Sequence, residues 1–156
     1  MKEDLLPFDM EKKPSSIIKV IGVGGGGSNA VKNMHREGIT GVDFIICNTD
    51  KQALDGSSIE TKIQLGPSLT EGLGAGSKPE RGRESAIESI DEVRKYIGER
   101  TKMVFITAGM GGGTGTGAAP VIAEIAGEME VLTVGIVTIP FRYEGKQRNR
   151  QAMKGI

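Results

Sequence analysis

The sequence predicts an α/β domain of three layers, a Rossmann-like parallel sheet with helices on both faces. Short apolar runs rich in β-branched residues alternate with helix-like segments along the chain. The connections between them are short, as they are when helices link parallel strands. The 24 glycines cluster where predicted strands meet helices and follow no fixed period, which excludes a collagen-like or low-complexity chain.

The length and the charge of the chain narrow the classes of function that it can have. Its 156 residues suffice for one domain with a core, and 20 basic residues balance 20 acidic ones. A formal net charge of zero gives no reason to expect binding to nucleic acid or to an anionic membrane. No run approaches the roughly 20 apolar residues of a membrane span, and no signal peptide is recognisable. We therefore expect a soluble, cytoplasmic protein that does not insert into a membrane.

The chain has one cysteine and one histidine. Cys47 lies in an apolar run, which favours a small buried side chain in a reducing compartment over a nucleophile. His35 has no partner at the spacing of metal ligands. The sequence therefore predicts no metal-ligating side chains.

Residues 1–15 are predicted to be a mobile arm. They contain Pro7, Pro14 and seven charged residues without an apolar period. Three isolated apolar side chains in this arm could instead dock on the domain or on a partner. Residues 16–156 are predicted to form the folded domain.

The first strand is predicted over 17–23. It is almost continuously apolar, which is typical of strands that are covered on both faces. It leads into a glycine run and then into a helix over 29–37. Ser28 or Asn29 is placed to cap this helix, and Gly38 is placed to end it.

The second strand is predicted over 42–48 and the third over 61–65, with a short helical turn at 52–54 between them. A loop follows at 66–77. Apolar residues then recur at spacings of three and four from Pro79 or Glu80 to about Ile97. This spacing predicts one long amphipathic helix with a charged, solvated outer face.

The fourth strand, 103–108, is apolar and partly β-branched, and it runs into the glycine-dense stretch 109–117. A helix is predicted over 118–129, a fifth strand over 132–139, and a last helical segment from about Glu144. The carboxyl ends of parallel strands share one edge of a sheet. The segments that follow all five strands therefore meet at one rim, where such folds bind ligands.

The stretch 109–117 has the composition of a phosphate site. Glycines let the backbone approach a ligand closely, and unpaired N–H groups at the start of the next helix attract anions. Thr114 and Thr116 add hydroxyl donors. A flexible linker or a tight packing turn is the alternative, but a linker would lack the flanking strand and helix.

Gly22, Gly24 and Gly27 also fit the G-x-G-x-x-G pattern of dinucleotide-binding domains, with Asp50 near the position of a ribose-binding acid. An oxidoreductase domain is therefore an alternative, although it needs only one phosphate loop and leaves 109–117 unexplained. No Walker A motif with its lysine is present. Backbone amides, helix dipoles and a metal ion would then have to balance the phosphate charge.

Five segments together resemble the amino-terminal half of the FtsZ family, the bacterial relatives of tubulin. They match the family's motifs in order and spacing, and 111–117 fits the signature shared with tubulin. The resemblance covers about 17–156. The five segments are 22–31, 48–50, 72–76, 109–120 and 140–145.

The resemblance implies a site for GTP or GDP, with Mg²⁺ accompanying GTP. By similarity, 25–29 and 112–116 hold the α and β phosphates, and 75–76 approach the γ position. Glu144 and Arg148 reach the ribose and phosphate side, although they could also form a simple surface pair one helical turn apart. The residues implied are Gly24, Gly25, Gly26, Gly27, Ser28, Asn29, Asp50, Ala75, Gly76, Gly109, Gly112, Gly113, Thr114, Gly115, Thr116, Glu144 and Arg148.

The chain departs from the family pattern at a few positions. Ser28 stands where the family usually has Asn, Ser77-Lys78 where Ala-Asn is common, and Tyr143 where Phe is common. Ser28 can still donate a hydrogen bond to phosphate, so the departure concerns fine affinity. Asp50 could merely cap a turn.

The resemblance further implies a GTPase that polymerises head to tail into the division ring at midcell. In the family, the residues that read guanine lie in later helices. The carboxylates that activate water lie in a loop of the following domain, which reaches into the next subunit. We therefore expect the GTP-binding domain to be incomplete at its carboxyl end, Ile156, and expect residues 1–156 to contain no catalytic residue.

The chain alone is then expected to bind nucleotide weakly and to hydrolyse it negligibly. Its expected partners are further copies of itself, membrane tethers and division regulators. A non-catalytic module that caps filaments is a further alternative.

Overall fold

One parallel sheet organises the residues that the structure describes. The structure is a computed structural model, and it describes residues 15–156, so the predicted arm lies outside them except for Ser15. The strands are β1 (Ile18–Val23), β2 (Asp43–Asn48), β3 (Thr61–Gln64), β4 (Met103–Gly109) and β5 (Leu132–Thr138). The sheet order is β3-β2-β1-β4-β5, and every neighbouring pair is parallel.

Helices follow the strands throughout residues 15–156. None of them is long and apolar enough to cross a membrane. The helices are α1 (Gly24–Arg36), α2 (Lys51–Asp55), α3 (Pro67–Thr70), α4 (Pro79–Glu88), α5 (Ile90–Ile97), α6 (Thr114–Glu128) and α7 (Lys146–Gly155), with a 3₁₀ turn at Arg142–Glu144.

Successive side chains of the central strands pack on opposite faces of the sheet. Val20 and Ile46 pack in one cluster with Val31 of α1 and Leu54 of α2. Ile21 packs in a larger cluster on the other face, which includes side chains of α4, α5, α6 and α7. The predicted three-layer α/β class is therefore confirmed.

The glycine run after β1 forms the first turn of α1, and the run after β4 ends in the first turn of α6, where the sequence predicted loops. Helix α1 begins at Gly24 and α6 at Thr114, each several residues before its predicted start. Intrinsic propensity disfavours glycine in a helix, but packing decides here. A Cβ at Gly27 would lie 2.2 Å from the carbonyl oxygen of Thr107 in β4. Only glycine therefore lets α1 lie this close to the sheet.

The predicted long helix is divided at Ser89 into α4 and α5. The Ser89 hydroxyl accepts a hydrogen bond from the N–H of Gly66 at 3.0 Å and donates one to the carbonyl of Gln64 at 3.4 Å. These bonds tie the helix to the end of β3. The apolar period continues through the break, so the sequence pattern did not reveal it. Helix α3 was also missed, since it lies in the predicted loop.

The edge strand β5 is covered less than the other strands. Leu132 and Ile136 pair with Met103 and Thr107 of β4, on the face that α1 covers. They are nevertheless 64% and 58% exposed. The helical layer on this face therefore does not reach β5 within residues 15–156.

Cys47 is buried in the core, as predicted, and its thiol is free. Burial raises the pKa of its thiol far above the ordinary value, and the charge of Glu92 adds to this effect. The thiol therefore stays protonated at neutral pH and is a poor nucleophile.

A half-buried ion pair lies at the amino-terminal edge of the sheet. Lys19 Nζ donates hydrogen bonds to Asp43 Oδ2 and to Ser15 Oγ, both at 2.7 Å. The Lys19 side chain is only 6% exposed, whereas that of Asp43 is 40% exposed. Burial alone raises the pKa of Asp43, but hydrogen bonds from Lys19, Ser16 and Ser15 and the charge of Lys19 outweigh it. The net pKa lies below the usual value.

We expect Asp43→Asn to lower the free energy of unfolding at pH 7 by about 1 kcal/mol, because Lys19 loses its anionic partner while water still reaches this half-open site. A lowered native pKa stabilises the fold above the unfolded value of about 4 and loses this effect as the pH falls through the native pKa. In urea titrations the difference should therefore shrink as the pH falls below the unfolded value and disappear once the Asp43 carboxyl is protonated in the native state as well. Asp55→Asn removes the exposed Lys51–Asp55 pair and is the control, with an expected change below about 0.5 kcal/mol. An equal loss of unfolding free energy in Asp43→Asn and Asp55→Asn would contradict this account.

Candidate functional site

A cleft of about 620 Å³ opens at the predicted rim, beyond the carboxyl ends of β1, β4 and β5. Its walls come from the first turns of α1 and α6 and from the segment after β5. The structure thereby brings together three segments that are far apart in sequence. The predicted residues that line the cleft are Gly24, Gly25, Gly26, Gly109, Gly112, Gly113, Thr114, Gly115, Glu144 and Arg148.

Helices α1 and α6 both begin at this cleft. Their N-cap residues, Val23 and Gly113, make no side-chain cap hydrogen bond, and neither first turn contains an acidic residue. The first N–H groups of both helices can therefore bind a ligand, and both helix dipoles place positive partial charge there. The predicted caps Ser28 and Asn29 lie inside α1 instead, so that prediction is wrong. Two such termini at one cleft favour an anion with several phosphate groups.

Glycines shape the surface of the cleft. A Cβ at Gly25 or Gly112 would meet no atom within 4 Å, so these positions face open space. Gly24, which lines the cleft, has a φ value of 72°, a backbone conformation that residues with a side chain rarely adopt. Backbone amides can therefore approach a ligand here without an intervening side chain.

The segment after β5 contributes one ion pair to the cleft. Glu144 Oε1 accepts a hydrogen bond from Arg148 Nη1 at 3.5 Å, and Glu144 Oε2 accepts one from the N–H of Phe141 at 2.5 Å. The rings of Phe141 and Tyr143 stack with their centroids 5.3 Å apart. Neither ring was predicted as a site residue, although the segment after the fifth strand was placed on the rim.

A family model described as the Tubulin/FtsZ family, GTPase domain, matches residues 17–156. The chain belongs to the Tubulin/FtsZ family. The cell division protein FtsZ of Porphyromonas gingivalis is 55% identical over all of this chain, which covers 35% of that relative's length. The FtsZ of Aquifex aeolicus is 56% identical over 89% of this chain and 38% of its own length. The chain thus spans little more than a third of these relatives.

Solved structures of the Tubulin/FtsZ family have the same fold. The empty FtsZ dimer of M. jannaschii is 46% identical to this chain, with a TM-score of 0.85. The match covers 94% of this chain and 42% of the M. jannaschii chain. CetZ2 from Haloferax volcanii, solved as a GTPγS-bound protofilament, is 28% identical to this chain, with a TM-score of 0.78. The match covers 88% of this chain and 44% of the CetZ2 chain. The predicted resemblance is therefore confirmed.

Seven of the residues that the resemblance implied do not line the cleft: Gly27, Ser28, Asn29, Asp50, Ala75, Gly76 and Thr116. Asp50 Oδ1 accepts a hydrogen bond from the N–H of Ala53 at 3.1 Å and so caps α2, as its alternative role required. Ala75 is buried against Gly113, where a Cβ would lie 2.9 Å from the Ala75 Cβ. The loop that carries Ala75 therefore packs against the turn that precedes α6.

The buried hydroxyls of the two helix starts differ in their bonding. Thr116 Oγ1 accepts a hydrogen bond from the N–H of Gly111 at 2.8 Å, which closes the turn before α6. Ser28 is 7% exposed, and its hydroxyl has no hydrogen-bond partner among residues 15–156. A buried polar group without a partner is costly. Ser28 is therefore suited to bind a polar ligand or an ordered water behind the cleft.

Proposed function

We propose that this chain forms the GTP-binding domain of a tubulin-like GTPase that acts in bacterial cell division. The observation that carries the proposal is the convergence of two uncapped helix starts and two open glycines, Gly25 and Gly112, at one cleft. A polyphosphate fits this arrangement because N–H groups from both helices can share its charge. The oxidoreductase alternative is weaker, since a dinucleotide site needs only one of these two helix starts.

Each part of the cleft has a proposed role. The first turns of α1 and α6 bind the α and β phosphates, and the loop with Ala75 and Gly76 lies toward the γ position. Glu144 and Arg148 bind the ribose side, where Arg148 also adds positive charge. Within residues 15–156, no three His, Cys, Asp or Glu side chains converge on one point. Magnesium would therefore be held mainly by the phosphates, as is common for this ion.

Hydrolysis is proposed to need groups from a second subunit. The carboxylate that lines the cleft, Glu144, already accepts hydrogen bonds from Phe141 and Arg148. A base that orients water must lie within reach of the γ phosphate. We propose that a loop of the domain that follows in the longer relatives supplies it from the adjacent subunit of a head-to-tail filament. The names of the relatives, a dimer and a protofilament, support self-association.

The role in the cell follows from this proposal. A GTPase that polymerises with further copies of itself would act at the division ring at midcell. Membrane tethers and division regulators would be its other partners. The name shared by the bacterial relatives, cell division protein FtsZ, supports this assignment.

Nucleotide binding by the purified chain tests the proposal. We expect titration calorimetry to detect weak binding of GTP and GDP, with NAD at least about tenfold weaker, and we expect phosphate release close to the rate of a protein-free blank. Equal binding of NAD would favour the dinucleotide alternative, and no binding of any nucleotide would refute the proposed site. Rapid hydrolysis by the chain alone would refute the shared catalytic site.

A further inference from the structure

We propose that Thr49 is a positioning residue that holds the Thr114 hydroxyl in place for a phosphate. The inference rests on the proposed nucleotide function. Thr49 follows the last residue of β2 and is fully buried, with 0% exposure, although it is polar. Its hydroxyl oxygen lies 2.7 Å from that of Thr114, the first residue of α6. The sequence separation of 65 residues hides this contact from any local motif.

The chemistry of the ligand determines the direction of this hydrogen bond. Either hydroxyl can donate in the isolated pair, but a phosphate oxygen can only accept. Thr114 lines the cleft, and its proposed role is to donate its hydroxyl proton to the phosphate. Thr49 must then donate to Thr114. Hydrogen bonds arranged in such a chain polarise and strengthen one another. Thr49 thus acts on the ligand through Thr114 and does not touch it.

The backbone of Thr49 holds a second part of the site. Its carbonyl oxygen accepts hydrogen bonds from the N–H of Gly74 at 3.2 Å and from the Thr70 hydroxyl at 3.3 Å. These bonds fix the loop that leads to Ala75, which packs against the turn before α6. One buried residue therefore links two loops that are proposed to bind different phosphates of the same nucleotide. Because a carbonyl cannot be removed by substitution, the hydroxyl is the part that can be tested.

The test compares GTP affinity in the 156-residue chain with Thr49 changed to Val or Ser. Valine keeps the shape of threonine and removes the hydroxyl, so we expect about fivefold to tenfold weaker binding, the effect of one hydrogen bond. Serine keeps the hydroxyl, and its affinity should stay within about twofold of the unchanged chain. Thr114→Val and the double variant Thr49→Val/Thr114→Val complete a double-mutant cycle. The double variant should bind no more weakly than Thr114→Val alone, because Thr49 acts only through that hydroxyl.

Several results would overturn the proposal. Unchanged affinity in Thr49→Val, an equal loss in Thr49→Ser, or additive losses in the double variant would each show that Thr49 has only a packing role. Unfolding transitions are measured first, and Thr49→Ala replaces Thr49→Val if the latter does not fold. Failure of the unchanged chain to bind GTP is a separate outcome, which refutes the proposed function itself.

Discussion

Gly117→Ala is expected to lower the free energy of unfolding by about 3 kcal/mol or more. Helices α4 and α6 cross here with their backbones in contact. A Cβ at Gly117 would lie 1.9 Å from the carbonyl oxygen of Pro79 and 2.6 Å from the amide nitrogen of Arg83. Both neighbours are backbone atoms, so no side chain can move aside and the helices must separate. Urea denaturation followed by far-UV circular dichroism measures the loss.

Gly127→Ala in the same helix is the matched control. A Cβ at Gly127 would meet no atom within 4 Å. Alanine favours the helix over glycine by up to about 1 kcal/mol, so this variant should be at least as stable as the unchanged chain. If both variants shifted the urea midpoint by the same amount, the close packing of α4 on α6 would not be the cause.

Gly112→Val is expected to weaken GTP binding by about 100-fold while the chain remains folded. The new side chain would extend into the open space that the glycine leaves at the cleft. It would keep the phosphates from at least two backbone amides, and hydrogen bonds to a charged group contribute about 1.5 kcal/mol each. The affinity is measured by titration with GTP, and the unfolding midpoint by urea.

Gly135→Val gives the control for that substitution. Gly135 lies in β5, away from the residues that line the cleft, and a Cβ there would also meet no atom within 4 Å. Its GTP affinity should stay within about twofold of the unchanged chain. Wild-type affinity in Gly112→Val would mean that the phosphates bind elsewhere on the rim.

The class of the fold was predictable because its signals are local. Each strand is a short apolar run, and parallel strands joined by helices leave few alternative topologies. The rim was predictable for the same reason, since the strand ends of a parallel sheet must share an edge. These predictions needed no knowledge of which segments touch.

Helix boundaries were less predictable because tertiary contacts set them. Glycine has low helix propensity, so the first turns of α1 and α6 looked like loops. Their close approach to the sheet and to α4 selects glycine there, and Gly27 illustrates this by its contact with Thr107. The helix is likewise divided at Ser89, although the apolar period continues, and the Ser89 hydroxyl bonds to residues more than 20 positions away.

The sequence by itself therefore determined the α/β class, the rim and the glycine-rich segments at that rim, because each depends on residues that are near one another in the chain. Only the tertiary structure decided which hydroxyls meet. It paired Thr49 with Thr114, gave Thr116 to the turn before α6, and left Ser28 buried without a partner among residues 15–156. The physical reason is that hydrogen bonds form between atoms that folding brings within about 3 Å, and the spacing of residues along a chain does not specify those distances.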